Sequence, residues 1–126
     1  MATKEFINTE FRPNVKLKIT ELYLETLYNE ILPFTLENWG AVVMIKLLKE
    51  IDNSILRLYS MPDANPKDLY IDSTATKTYR NIILSKYPYK IIYSKTKNNV
   101  VTVYNIIHQN VNPKRYKTLI KQIYKK

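Results

Sequence analysis

One change in the spacing of hydrophobic residues, midway along this chain, constrains the fold more than any other feature. Between Leu24 and Leu58 apolar residues recur by threes and fours, the period of amphipathic helices. From Leu69 to Ile107 they sit in short Val-, Ile- and Tyr-rich runs separated by turn residues, the pattern of strands. Helices grouped ahead of strands imply an α+β layout rather than alternating βα units. A chain of 126 residues has room for one such domain, and 45% hydrophobic residues supply its core.

The elements follow in order. Residues 1–14 have no clear period and include Pro13, so they read as an arm preceding a single domain over 15–126. Val15 to Thr20 alternates apolar and polar residues, placing Val15, Leu17 and Ile19 on one face of a strand. Thr20 is a candidate cap for a helix carrying Leu24, Leu27, Tyr28 and Ile31, expected to end at Leu32 because Pro33 follows. A longer helix is expected from a Thr35 cap to about Ser60, with Ala41, Met44, Leu48, Ile51, Ile55 and Leu58 on its apolar side. The two would form a hairpin turning near Pro33.

Met61 to Pro66, with two prolines, reads as a loop. Strands are expected at 69–71, 79–84, 89–94 and 100–107, the last two joined by a hairpin through Asn98-Asn99. Tyr89, Ile91 and Tyr93 share a face and are expected beneath the helices. Asn112-Pro113 signals a final helix with an apolar stripe of Tyr116, Leu119, Ile120, Ile123 and Tyr124, opposite Lys114, Arg115, Lys117, Lys121 and Lys125.

Charge is as unevenly placed as hydrophobicity. Residues 1–74 are net −3, whereas residues 75–126 contain twelve basic and no acidic residues; together they give the overall +9. An acid-free stretch of this length cannot by itself supply a paired-carboxylate hydrolase site or a Mg²⁺ cage. Its self-repulsion is relieved by a polyanion or an acidic partner. The absence of Cys excludes disulfides and thiolate chemistry, one His gives no basis for a zinc site, and one Gly excludes glycine-rich phosphate loops. No cofactor or metal is therefore expected. The longest unbroken apolar run, Ala41 to Ile45, is too short to cross a bilayer, so a cytoplasmic protein without membrane association is expected.

The stretch from Thr78 to Tyr116 resembles the sheet region of the RelE/ParE superfamily of bacterial toxins. The likeness rests on Lys86-Tyr87-Pro88-Tyr89, the Ile91-Ile92-Tyr93 strand, the polar hairpin, the Val-rich strand ending in His108, and Asn112-Pro113 followed by a basic-aromatic pair. It implies a RelE/ParE-like fold, with an N-terminal strand and helical hairpin packed on one face of a small, mostly antiparallel sheet, and a C-terminal helix. It also implies a toxin of a type II toxin–antitoxin system, neutralised by an acidic antitoxin that folds over it. Within the superfamily, RelE-like members cut mRNA on the ribosome and ParE-like members inhibit DNA gyrase, and both targets stay open at this point.

For the nuclease reading, the resemblance places Lys90 where RelE-like enzymes commonly carry an arginine, as the cation for the scissile phosphate. Lys77, Arg80 and Lys86 would extend the anion surface. His108, the one side chain here with an ordinary pKa near neutrality, is the candidate general acid or base, and Tyr116 would join it from the last helix with Lys114 and Arg115 nearby. Two features depart from the nuclease pattern: Lys90 lacks the arginine fork, and Gln109, Asn110, Val111 and Asn112 stand where basic residues are expected after the last strand. They favour a noncatalytic poison or an inactive relative. The competing class is a basic RNA-binding or structural module of the same fold without toxicity.

Overall fold

The computed structural model describes residues 15–69, 71 and 73–111. The arm at residues 1–14 and the expected final helix, including Lys114, Arg115 and Tyr116, lie outside these.

Strand β1 (Lys16–Ile19) opens the fold and hands over to a helical layer at Thr20. The Thr20 hydroxyl accepts the Tyr23 amide proton at 3.1 Å, the expected capping bond, and donates across to the Tyr104 carbonyl at 2.8 Å. Helix α1 (Glu21–Thr26) runs through a π-helical turn (Leu27–Ile31) into α2 (Leu32–Trp39), and α3 (Ala41–Leu56) ends in a 3₁₀ turn (Arg57–Tyr59). Three strands follow: β2 (Lys77–Ile83), β3 (Tyr89–Thr96) and β4 (Val100–His108). The sheet order is β1-β4-β3-β2, with β1 parallel to β4 and the other pairs antiparallel. The α+β architecture expected from sequence is present.

Two helix boundaries differ from expectation, for identifiable reasons. Pro33 does not end the first helix. The widened turn before it lets the Leu32 amide reach back to the Leu27 carbonyl, and Pro33 falls in the first turn of α2, where no donor is required. Thr35 is no cap; it is buried mid-helix and donates its hydroxyl to the Ile31 carbonyl at 2.8 Å. The hairpin turns at Gly40 instead, with φ 92° and ψ 170°, a conformation essentially confined to glycine.

At the expected strand over 69–71, the described residues 69 and 71 are bends. Residues 66–68 run beside β2, through the Asp68 amide to the Tyr79 carbonyl and the Asn81 amide to the Pro66 carbonyl. The Asp68 carboxylate then accepts the Ile71 amide proton at 2.8 Å, and Ile71 is buried against the sheet. Asn99, at φ 62°, makes the left-handed turn expected between β3 and β4.

The main core lies between helices and sheet. Tyr23, Leu27, Leu47, Ile51, Ile55 and Leu58 meet Ile82, Ile91, Tyr93, Val101, Val103 and Ile106. On the opposite face a smaller cluster joins Ile71, Tyr79, Ile92 and Tyr104, with Ile107 and Val111 against it.

One irregularity interrupts the pairing of β3 with β4. Ile92 faces Asn105 whereas Tyr93 faces Val103, so Tyr104 is an extra residue in β4. The bulge is satisfied locally: Thr20 donates to the Tyr104 carbonyl, and the Asn105 side-chain oxygen accepts the Ile106 amide proton at 2.8 Å.

Candidate functional site

Strand alternation fixes which face each candidate residue occupies. On β3, Tyr89, Ile91 and Tyr93 face the helices, as expected, which puts Lys90 and Ile92 on the opposite face. On β4, Val101 and Val103 face the helices, but the extra residue at Tyr104 reverses the phase. Ile106 points to the helices after the bulge, Ile107 points away, and His108 returns to the helix side.

There His108 meets Tyr89 edge-on, with ring centres 5.9 Å apart and an interplanar angle of 79°. It lines a groove of about 700 Å³ with Glu30, Ile31, Phe34 and Asn105. Its Nδ1 accepts the Asn110 amide proton at 3.1 Å, so the ring holds the turn after β4. Burial raises the pKa of Tyr89, an effect that a hydrogen bond with Thr35 offsets in part.

Lys90 lies on the far side of the sheet, paired with Ile83 on one flank and Ile107 on the other. The phosphate-neutralising candidate and the acid–base candidate therefore project from opposite faces, and the structure does not bring them together. Tyr116 lies outside the described residues.

The other cations on β2 and β3 are dispersed. Lys77 shares the face of Lys90, but β2 separates it from the pairing partner Ile83 by six residues, roughly 20 Å along the sheet. Arg80 faces the helix side and works structurally: it donates to the Asn65 carbonyl at 2.6 Å and lies 3.9 Å from Asp63. Lys95 reaches the same carboxylate at 3.4 Å, so an acid from the N-terminal half meets two cations of the acid-free half. Tyr93 completes this anchor, donating to the Pro62 carbonyl at 2.6 Å and accepting from Asn65. Its pKa is raised by burial.

Gln109, one of the residues departing from the nuclease pattern, has a clear task. Its amide nitrogen lies within 3.1–3.3 Å of the Leu84, Tyr87 and Tyr89 carbonyls and ties the end of β4 to the β2–β3 turn. On that turn Lys86 is exposed, and it lines a cleft with Lys46, Lys49 and Arg57 of the helical layer. Sequence reasoning missed these three. Positions 46, 49, 53 and 57 recur by threes and fours along one side of α3 and its extension, a polar stripe opposite Leu47, Ile51 and Ile55 that the period alone could have shown.

Among the described residues, no three His, Cys, Asp or Glu side chains stand together to hold a metal ion, and no helix is long and apolar enough to cross a membrane.

Comparison with known proteins places this architecture. No curated protein matches the chain by sequence. Among solved structures, one described as the chromosomal ParDE TA system from P. aeruginosa superposes with a TM-score of 0.60 at 14% identity, over 77% of this chain and 98% of that one. That likeness shows the shared fold. The family model for the ParE toxin of the type II toxin–antitoxin system, parDE, matches residues 17–113. With that match over most of its length, the chain belongs to the ParE toxin family, within the RelE/ParE superfamily that the sheet sequence resembles.

Proposed function

We propose that this chain is the toxin of a type II pair, that it poisons DNA gyrase by binding rather than cutting message, and that an acidic antitoxin neutralises it. The observation that carries the choice of target is the bulge at Tyr104, which leaves Lys90 and His108 on opposite faces of the sheet. Cutting RNA requires a cation at the phosphate and a proton-transfer group within hydrogen-bond reach of the same bond. The His108 ring is instead engaged with its own turn. An inhibitor that works by occupancy needs no such pair.

The antitoxin reading draws on a different edge. Among the described residues β1 has a strand neighbour only on the β4 side, and Lys16 and Lys18 are exposed along it. Beside it runs an apolar groove containing Leu17, Ile19, Leu24, Tyr28 and Leu56. An extended acidic segment would add a strand there, its backbone pairing with β1, its apolar side chains in the groove and its carboxylates near the lysines.

The test is induced expression followed by two parallel assays. The gyrase reading expects growth arrest, loss of gyrase supercoiling in the presence of the purified chain, and intact transcripts. Transcript cleavage abolished by Lys90→Ala or His108→Ala in folded protein would replace it with the nuclease reading. Unaffected growth would count against an active toxin and favour the nontoxic module. Rescue by the product of a neighbouring short acidic reading frame supports the antitoxin, and a Leu17→Asp chain should escape that rescue.

A further inference from the structure

Away from both sheet faces, α3 and the turn between β2 and β3 enclose a cleft of about 650 Å³. Lys46 and Lys49 line it from α3, Arg57 from the turn that extends the helix, and Lys86 from the opposite wall. The ion pairs that Asp63 makes with Arg80 and Lys95 lie elsewhere. Among the described lining residues four cations face one carboxylate, that of Glu50. Arg57 is steadied by a 3.4 Å contact with the Ser54 hydroxyl, and half-buried Tyr87 supplies an aromatic wall.

We infer that this cleft binds the phosphate backbone of a single-stranded nucleic acid, a role independent of the gyrase reading. The row from Lys46 to Arg57 spans roughly 16 Å at a helical rise of about 1.5 Å per residue, enough to meet several successive phosphates of one strand. An extended acidic peptide gains affinity by pairing with a free strand edge, and here the walls are a helix face and a turn. Nucleic acid draws instead on phosphate neutralisation and stacking against aromatic side chains, which lysines, arginine and Tyr87 provide.

The experiment uses the full chain with labelled oligothymidylate and oligouridylate of about twelve nucleotides, and an oligoglutamate peptide, across a salt series. Lys49→Gln and Lys86→Gln should each weaken oligonucleotide binding about threefold or more and make the slope of log affinity against log salt shallower by about 0.7. Glu50→Gln should tighten it, and Lys67→Gln and Lys97→Gln should leave it unchanged. The ratio of the two oligonucleotide affinities identifies DNA or RNA as the polymer. Equal losses at Lys67 and Lys97 would mean attraction to net charge alone and overturn the site. Oligoglutamate binding as tightly as the oligonucleotides would assign the cleft to an acidic protein instead, and absence of binding in folded protein would also overturn it.

Discussion

The two faces of the sheet are built from different chemistry. Toward the helices the buried side chains are almost entirely aliphatic, with Tyr23 and Tyr93 as exceptions, and they form one cluster of fifteen residues. On the opposite face four buried side chains cluster among the described residues, and two of them, Tyr79 and Tyr104, are phenols. The Tyr104 hydroxyl lies 2.8 Å from the Ser94 hydroxyl, and the Tyr79 and Tyr104 rings are 5.9 Å apart. Aliphatic burial is non-directional and grows with area, whereas a hydroxyl network works only while its geometry holds. The helix side should therefore dominate stability, and the other side should respond to small polar changes and to pH.

The strongest challenge to that division is Ile51→Ala. Ile51 is fully buried between α3 and the sheet, so truncation should cost about 3–4 kcal/mol by urea denaturation. A cost below about 1 kcal/mol would mean that the helical layer is not the main source of stability. The matching truncation on the other face, Ile92→Ala, is equally buried but belongs to the smaller cluster, so about 2–3 kcal/mol is expected. Equal losses from the two would erase the contrast.

Asn105→Ala sharpens it at the bulge. Removing the side-chain oxygen leaves the buried Ile106 amide without that partner, and about 1–2 kcal/mol should be lost in the same assay.

The fourth prediction concerns alkaline pH. Burial, then the neighbouring Tyr104, raises the Tyr79 pKa to about 12 from its ordinary value of 10.0. The unfolded chain therefore releases this proton first as pH climbs past 10, and the folded state loses stability between about pH 10 and 12. Tyr79→Phe, costing about 1 kcal/mol at pH 8, should flatten that decline in pH-dependent urea melts. Tyr23 on the helix side is shifted upward too, chiefly by burial, so some decline should remain.

The smallest effect is expected at Asp63→Asn. The carboxylate is largely exposed, and weakening its pairs with Arg80 and Lys95 should cost less than about 1 kcal/mol, falling further with added salt. A larger loss would show that the 61–68 loop is held through Asp63 more than through Tyr93.

Much of this fold is legible in the sequence because local pattern and tertiary outcome agree. The alternation at 15–20, the Thr20 cap, the Asn99 turn and the helix-facing set Tyr89, Ile91 and Tyr93 depend on near neighbours alone. The failures arise where distant residues decide. Pro33 reads as a stop until the π-helical turn before it is known, and Leu69 to Ile71 reads as a strand until the Asp68 side chain is seen capturing the Ile71 amide.

For the candidate site the decisive fact is cross-strand register. Unbroken alternation from Val101 would have put His108 on the face of Lys90, and nothing in residues 100–108 taken alone announces the bulge. The charge reading was only half informative for a related reason. Composition counted the acid-free cations correctly but could not reveal that Arg80 and Lys95 answer to Asp63, or that Lys86 joins residues from α3.

The extra residue in β4 also bears on how such a chain can change. Because the surplus residue takes up one whole position without a partner, a single-codon deletion at Tyr104 would restore unbroken pairing of β3 with β4 and leave His108 opposite Tyr89 on the helix side. Relatives differing by that one codon would then share both outline and rim, and only an alignment without a gap would equate positions that face opposite sides of the sheet.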